Sequence, residues 1–530
     1  MAALFGCLEA GVIAVPCFPP TGRRAAERFS AIIADCEPDT IIVSSWLAAQ
    51  AETLAGKLPP AARQARWLFL DEAFSGGAVP PGPGPAPADP AGADSQSPVL
   101  LQYTSGSTGD PKGIMLSQHN LISNCLALQD SMGAAVDRIG CSWLPPYHDM
   151  GLMGTIMLAL HGGWPLVMLS PAHFVQQPYR WLKAVTDYRV TISVAPNFAL
   201  DMCVDTITDA ELRTLDLSAL RQLYCGAEPV LSGTLARFRD RFEACGYQES
   251  ALVPCYGMAE ATLFVSGKPR ATLPRSLRVD KGALERGKVE PASPQADATE
   301  IMSCGTVARA NRVVIVDPQT GQPTGPSRTG EIWVSGPNVA QGYFQRPELS
   351  AETFTARLSG DAAGAAYPGW TYLRTGDVGF VAEGELYVTG RIKDVVIIAG
   401  RNLYPHDIEA SVVAAHPDLR RAAAFSVAAE QHEEELVVVA EFRRAGRRTA
   451  DCLARAREAV IRAVAADHAV RLGALHLGPP GTVATTTSGK VRRAATRQAY
   501  LAGALKSLAP AASQGGARPA SGVASAGSSQ

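Results

Sequence analysis

Short apolar runs bounded by Gly, Pro and polar turns recur along the chain and alternate with longer stretches of helical period. Val99-Leu100-Leu101, Thr191-Ile192-Ser193-Val194, Gln222-Leu223-Tyr224-Cys225 and Ala251-Leu252-Val253 each read as a short buried strand with a turn signal behind it. This alternation predicts an α/β core of parallel strands with functional loops at the strand ends. Val313 to Asp317, Glu331 to Val334 and Glu385 to Val388, joined by Gly-rich turns, predict a separate antiparallel β region. After Arg391 the order becomes strand (Val395 to Ile398), helix (His406 to Ala415), strand (Ala422 to Val427), strand (Glu435 to Phe442) and a long Arg/Ala helix (Cys452 to Ala466). That order is a compact α+β unit of ordinary small-domain size.

The expected architecture is therefore α/β: a large N-terminal domain (residues 1–392) of parallel α/β sheets plus a β region, and a small mobile α+β C-terminal domain (393–507). A Pro/Ala/Ser/Gly tail (508–530) has almost nothing to bury and is expected to be disordered, and Gly77 to Asp94 reads as a flexible surface connection. No internal repeat is evident. Gly151 to Ser170 is the most apolar stretch, but His161, Gly162, Gly163 and Pro165 interrupt it short of bilayer-spanning length, so no membrane span is expected.

Composition narrows the class. With 530 residues and 47% hydrophobic content the chain can bury sizeable cores. Forty-eight basic against fifty acidic residues give a net charge of −2, which leaves no broad footprint for nucleic acid and favours small-molecule chemistry. Eleven cysteines without C-x-x-C pairs, and no basic stretch at the start, suit reduced thiols in a cytoplasmic protein.

The densest chemistry lies at residues 103 to 113, Tyr-Thr-Ser-Gly-Ser-Thr-Gly-Asp-Pro-Lys-Gly, read as the loop of a strand-loop-helix connection whose helix opens at His119-Asn120-Leu121. Its glycines (Gly106 and Gly109 among them) let backbone N–H groups approach a phosphate. Thr104, Ser105, Ser107 and Thr108 add hydroxyls, and Lys112 adds charge. Pro111 and Gly113 around Lys112 exclude a Walker loop. Glu260, in Tyr256-Gly257-Met258-Ala259-Glu260, follows a strand; it is either a solvated charge or, beside a phosphate loop, a Mg²⁺ ligand. Gly226-Ala227-Glu228-Pro229 is a loop small enough to admit a flat base. Asp377 and Arg391 flank a hairpin, as an ordinary salt bridge or as a clasp on ribose hydroxyls. Lys490, in Thr487-Ser488-Gly489-Lys490, sits on a Gly-flexible loop able to swing to an anionic centre.

In this order the motifs YTSGSTGDPKG, GAEP, YGMAEAT, LRTGDVGF, GRIKDVVIIAGRNLYP and TTSGKVRR resemble the adenylate-forming superfamily of acyl-CoA synthetases, peptide-synthetase adenylation domains and luciferases, over about Met1 to Leu505. Ser142 to Leu152 (SWLPPYHDMGL), Ala195 to Ala199 and Gly400 to Pro405 resemble its fatty-acyl-AMP ligase branch. Ser350 to Tyr372 is similar in place to that branch's insertion, which hinders domain rotation and CoA use.

The resemblance implies ATP and Mg²⁺ as cofactors, and a fatty acid and the phosphopantetheine arm of an acyl carrier protein as partners. Thr104 to Lys112 would close over the β,γ-phosphates. Gly226, Ala227 and Glu228 with Tyr256, Gly257 and Met258 would form the adenine site, and Asp377 and Arg391 would hold the ribose. Glu260 would hold Mg²⁺, and Lys490 would bridge the substrate carboxylate and α-phosphate. His148 falls near the substrate carboxyl, a structural histidine being the other reading. Met150, Leu152, Phe198, Ala199 and Cys203 are the implied acyl-channel walls, and Lys393 or Asp394 the hinge. A fatty-acyl-CoA ligase, or an inactive scaffold, is the alternative. The opening, Met1 to Gly11, resembles a helix well inside the family's first domain, so the family's first strands and helices are expected to be absent.

Overall fold

The computed structural model describes residues 1–20, 23–47, 60–70, 95–104, 111–134, 137–360, 369–398, 401–428, 434–443, 449–486 and 490–508. By contacts the chain divides into Met1–His406 with Thr485–Ala495, and Asp407–Ala484 with Thr496–Gln530. The sequence reading places the domain boundary at 392/393.

The larger unit is built on a seven-stranded sheet of β1 (Gly140–Ser142), β2 (Leu166–Met168), β3 (Ile192–Ala195), β4 (Gln222–Cys225), β5 (Leu252–Gly257), β6 (Phe264–Gly267) and β7 (Thr306–Val307), in the order β7-β6-β5-β4-β3-β1-β2. Strands β2, β1, β3, β4 and β5 run parallel, and β6 and β7 add antiparallel at one edge. All four residues of β3 and of β4 are buried, because helices cover both faces of such a sheet. The helices α1 (Gln118–Met132), α2 (Asn197–Thr206) and α3 (Ser232–Phe242) pack here, α1 being opened by a capping box in which Ser117 and Asn120 satisfy each other's backbone N–H groups.

A second sheet of β8 (Arg312–Val316), β9 (Gly330–Ser335), β10 (Leu373–Ala382) and β11 (Glu385–Arg391) is antiparallel throughout. It is the antiparallel region expected from the sequence.

One local reading is corrected. The segment after Thr104 does not lead directly into a helix: Pro98–Thr104 pairs antiparallel with Lys112–Ser117, and α1 follows that second strand. Ile114 and Leu116 are fully buried, and that burial holds the short Lys112–Ser117 run as a strand.

In the smaller unit, β12 (Leu419–Ala428) and β13 (Glu434–Phe442) are antiparallel, and α4 (Ala450–His468) crosses over to β14 (Leu472–Gly478), parallel to β13. Strand β14 is absent from the sequence reading. Residues 509–530, most of the expected tail, and Gly77 to Asp94 lie outside the described residues. Among the described residues no helix is long and apolar enough to cross a membrane.

Candidate active site

A single cavity of about 460 Å³ in the larger unit collects side chains from far apart in sequence: Lys112, His148, Tyr256, Glu260, Arg391 and Lys490 all line it. Ser105, Gly106, Ser107, Thr108 and Gly109 lie outside the described residues, as does the side chain of Thr104, which ends its strand. At the far end of that loop Lys112 stands over the Tyr343 ring, 5.0 Å from the centroid. The Tyr343 hydroxyl donates to Glu260 Oε1 at 3.0 Å. Burial pushes the Glu260 carboxyl above the usual range, against the pull of Arg391. No described ammonium or guanidinium lies within ion-pair distance of it. A half-buried carboxylate without a salt-bridge partner among the described residues fits the donor set of a hard divalent cation.

Lys490 is fixed by its backbone: its N–H donates to Thr486 Oγ1 at 3.0 Å and its carbonyl accepts from Thr486 N–H at 2.8 Å. Its ammonium has no carboxylate within ion-pair distance among the described residues. Burial lowers its pKa, Arg391 lowers it further, and Asp377 opposes them. Such a group is a cation waiting for an anion.

Asp377 lies just behind the wall, its side chain 8% exposed. Its Oδ1 accepts from Arg391 Nε at 2.7 Å and its Oδ2 from the Tyr256 hydroxyl at 2.7 Å. The turn before it is set by Glu331, buried, which accepts from Arg374 at 3.0 and 3.1 Å, from Trp333 Nε1 at 2.9 Å and from Gly376 N–H at 3.1 Å. Glu331 and Arg374 also line the cavity, and neither was read as a site residue from the sequence.

The GAEP loop passes the same cavity. Ala227 lines it with φ +67°, a left-handed conformation that a residue other than glycine rarely holds, which marks local strain. Glu228 accepts from Phe198 N–H at 2.6 Å. Gly226 is buried, and Gly257 lies so close to the Leu263 carbonyl that a Cβ there would sit 1.8 Å from it. Met258 lines the wall beside it.

Of the implied acyl-channel residues, Met150 reaches the cavity; Leu152, Phe198, Ala199 and Cys203 do not. Leu152 is buried in the core under the second sheet. Ala199 and Cys203 are fully buried on α2, within the core of the main sheet, and Phe198 stands edge-on to Trp143. The apolar wall comes instead from Leu128 and Met132 on α1, Val194, Tyr224 and Cys255 on the sheet, and Leu263 and Phe264. No local motif announces these, since each is one apolar residue in an ordinary buried element.

A family profile described as AMP-binding enzyme matches residues 1–344. The chain belongs to this family of AMP-binding enzymes. It is 38% identical to the medium-chain-fatty-acid–acyl-carrier-protein ligase JamA of Moorena producens (strain JHB), over 95% of this chain and 84% of that one. It is 37% identical to the 4-hydroxyphenylalkanoate adenylyltransferase of Mycobacterium tuberculosis (strain H37Rv), over 94% of this chain and 80% of that one. Among solved structures it is similar to the fatty acyl-adenylate ligase from Legionella pneumophila in complex with acyl adenylate and pyrophosphate. That match has a TM-score of 0.68 and 34% identity, covering 96% of this chain and 85% of that one. This AMP-binding enzyme thus falls among the fatty-acyl-AMP ligases of the adenylate-forming superfamily and is an ATP-dependent, AMP-forming ligase.

Proposed function

We propose that the protein activates a medium- or long-chain fatty acid with ATP, releasing pyrophosphate, and passes the acyl group from the adenylate to the phosphopantetheine thiol of an acyl carrier protein. The observation that carries this reading is one cavity lined both by cationic side chains, Lys112, Arg391 and Lys490, and by apolar ones, Leu128, Met132, Leu263 and Phe264. A carboxylate attacking an α-phosphate brings two anions together, so cations belong where that charge accumulates. The acyl chain needs a dry apolar channel opening at the same place.

In this reading the hairpin loop from Thr104 to Lys112 holds the β,γ-phosphates, and Ala227, Tyr256, Gly257 and Met258 border the adenine. Asp377 and Arg391 take the ribose, and Lys490 spans carboxylate and α-phosphate. Glu260 would hold Mg²⁺, which when bound neutralises phosphate charge. Between the half-reactions the small domain turns on Lys393 or Asp394 and carries Lys490 off the nucleotide. All eleven cysteines are free thiols, which suits a cytoplasmic setting.

The test is pyrophosphate release from an acid-length panel with ATP and Mg²⁺, followed by addition of holo carrier protein or CoA. Adenylate formation with thioester appearing on the carrier supports the proposal. Rapid thioester formation on CoA rejects the carrier route.

Chain length has a named determinant in this reading. Tyr224 reaches from β4 towards α1: its hydroxyl lies 3.4 Å from Ser131 Oγ and its ring stands edge-on to Phe264 at 6.4 Å. In this reading it serves as the floor of the acyl site. Tyr224→Ala should shift the preferred acid by two or more carbons toward longer chains, at about fourfold in kcat/KM per buried methylene (~0.8 kcal/mol). An unmoved optimum in the same panel would place the floor elsewhere.

A further inference from the structure

His148 and Asp149 are adjacent in sequence, yet they form a pair with a directed geometry. His148 Nδ1 lies 2.7 Å from Asp149 Oδ1, and the same oxygen accepts the Met150 N–H at 2.7 Å. The carboxylate is therefore held by a backbone donor and in turn fixes the imidazole. The loop carrying them is anchored as well: Gln102 Nε2 donates to the Tyr147 carbonyl at 2.8 Å, His148 N–H donates to the Pro145 carbonyl at 3.1 Å, and the His148 carbonyl accepts from Leu152 N–H at 2.7 Å. Gly151 is required here, because a Cβ would lie 2.2 Å from the Pro145 carbonyl oxygen.

With Nδ1–H donated to the carboxylate, the lone pair is on Nε2, and no described residue bonds that nitrogen. Both residues line the cavity that also holds Lys490, and the His148 side chain keeps 28% of its surface exposed. A histidine with one nitrogen locked on a carboxylate and the other open to a reaction site is the arrangement of a proton acceptor.

We propose that His148 is the general base of the second half-reaction, taking the proton from the attacking thiol, and that Asp149 is the positioning residue that fixes its tautomer and stabilises the resulting imidazolium. The proposal rests on the thiol-transfer reading above. In the step, the thiol proton passes to Nε2 while a sulfur lone pair forms the S–C bond at the acyl carbonyl. The bond from that carbon to the phosphate oxygen breaks, its electron pair leaving with AMP, and the imidazolium later gives its proton to solvent. Nothing is oxidised or reduced.

The charges around the ring fit the timing. Burial alone would lower the affinity of His148 for a proton; Asp149 overcomes this and raises it, while Lys490 and Arg28 oppose. Asp149 is held below the usual carboxylate range by His148, with Lys490 adding to the effect, although burial acts the other way. While Lys490 serves the first half-reaction, its charge disfavours imidazolium. Once Lys490 withdraws, His148 becomes a stronger base, at the stage when a thiol must be deprotonated.

The experiment supplies preformed dodecanoyl-adenylate to the enzyme in single turnover, with N-acetylcysteamine as the thiol and trifluoroethanethiol as a more acidic one, and separately measures pyrophosphate release from dodecanoate and ATP. For Asp149→Asn the ratio of thioester formation to pyrophosphate release should fall at least thirtyfold. The alkaline-rising limb of thioester formation, set by the neutral imidazole, should move to lower pH, because losing the carboxylate lowers the affinity of His148 for a proton. His148→Gln should lose thioester formation with N-acetylcysteamine and recover most of it with trifluoroethanethiol, which ionises without help. An unchanged ratio in Asp149→Asn, or equal loss with both thiols in His148→Gln, overturns the proposal. Failure of the unmodified enzyme to release pyrophosphate with any acid would instead sink the underlying ligase reading. If Asp149→Asn does not fold, His148→Gln with the two thiols decides alone.

Discussion

Lys490→Ala should cut adenylate formation by about a thousandfold (~4 kcal/mol) while leaving ATP affinity nearly intact. The expectation follows from the state of the side chain: it lines the cavity, and no described carboxylate lies within ion-pair distance of its ammonium. A charge with no ground-state partner in the protein is spent where negative charge grows, as the carboxylate closes on the α-phosphate. Single-turnover pyrophosphate release with a nucleotide titration alongside separates the two quantities. Parallel loss of ATP affinity and turnover would make Lys490 a binding residue. The pH profile gives a second check. Burial and the Arg391 guanidinium lower the lysine's pKa, so kcat/KM for adenylation, which needs the cation, should decline as pH rises through a value below that of an ordinary lysine. The adenylation step of the Ala variant should lack that limb. Thioester formation from preformed adenylate should be spared, since Lys490 has no part in it.

The polar half of this site was largely legible because its chemistry needs residue types that are rare in combination. Glycines packed against backbone, a lysine on a loop, and an acid and a base across a hairpin leave local traces, and Lys112, Tyr256, Glu260, Arg391 and Lys490 do share one cavity. The parallel strands were legible for a similar reason: Leu223-Tyr224-Cys225 is an apolar run cut off by Gly226, and the strand Gln222–Cys225 ends there.

The apolar half was not legible. Ala199 and Cys203 sit on a helix beside a motif, but their face of α2 is what joins the helix to the sheet, so they are core. The apolar residues that line the cavity are single positions on α1, β3, β4, β5 and the turn into β6, brought together only by tertiary packing. The hairpin at residues 98–117 was missed because Lys112-Gly113-Ile114-Met115-Leu116-Ser117 is short and runs directly into a helix cap, so periodicity cannot separate a strand from a helical lead-in. Asp149 lay in plain view within Tyr147-His148-Asp149-Met150. Its contact with the neighbouring imidazole depends on backbone turning at His148, which the residue types alone do not specify.

Asp377→Asn should weaken ATP binding by about a hundredfold (~2.7 kcal/mol) and leave the fold standing, whereas Asp377→Ala should damage both. An ionised carboxylate offers about four acceptor positions. Arg391 Nε uses one on Oδ1 and the Tyr256 hydroxyl uses one on Oδ2, which leaves an acceptor on each oxygen for a pair of neighbouring ribose hydroxyls. In asparagine the oxygen can stay with Arg391 while the amide nitrogen donates to the Tyr256 oxygen, so the buried contacts survive with their charge removed. Only one oxygen is left to accept, and the clasp on two hydroxyls is lost. Alanine leaves Arg391 without its counter-ion and Tyr256 without a partner, a change that costs about 3 kcal/mol or more when a buried pair is broken on one side. The discriminating measurement is the preference for ATP over 2′-deoxy-ATP, taken with a denaturant midpoint for each variant. The preference should collapse toward one in Asp377→Asn while its midpoint stays close to that of the unmodified protein. If the preference persists, the carboxylate serves only to brace Arg391 and Tyr256, and the ribose is read by another group in the cavity.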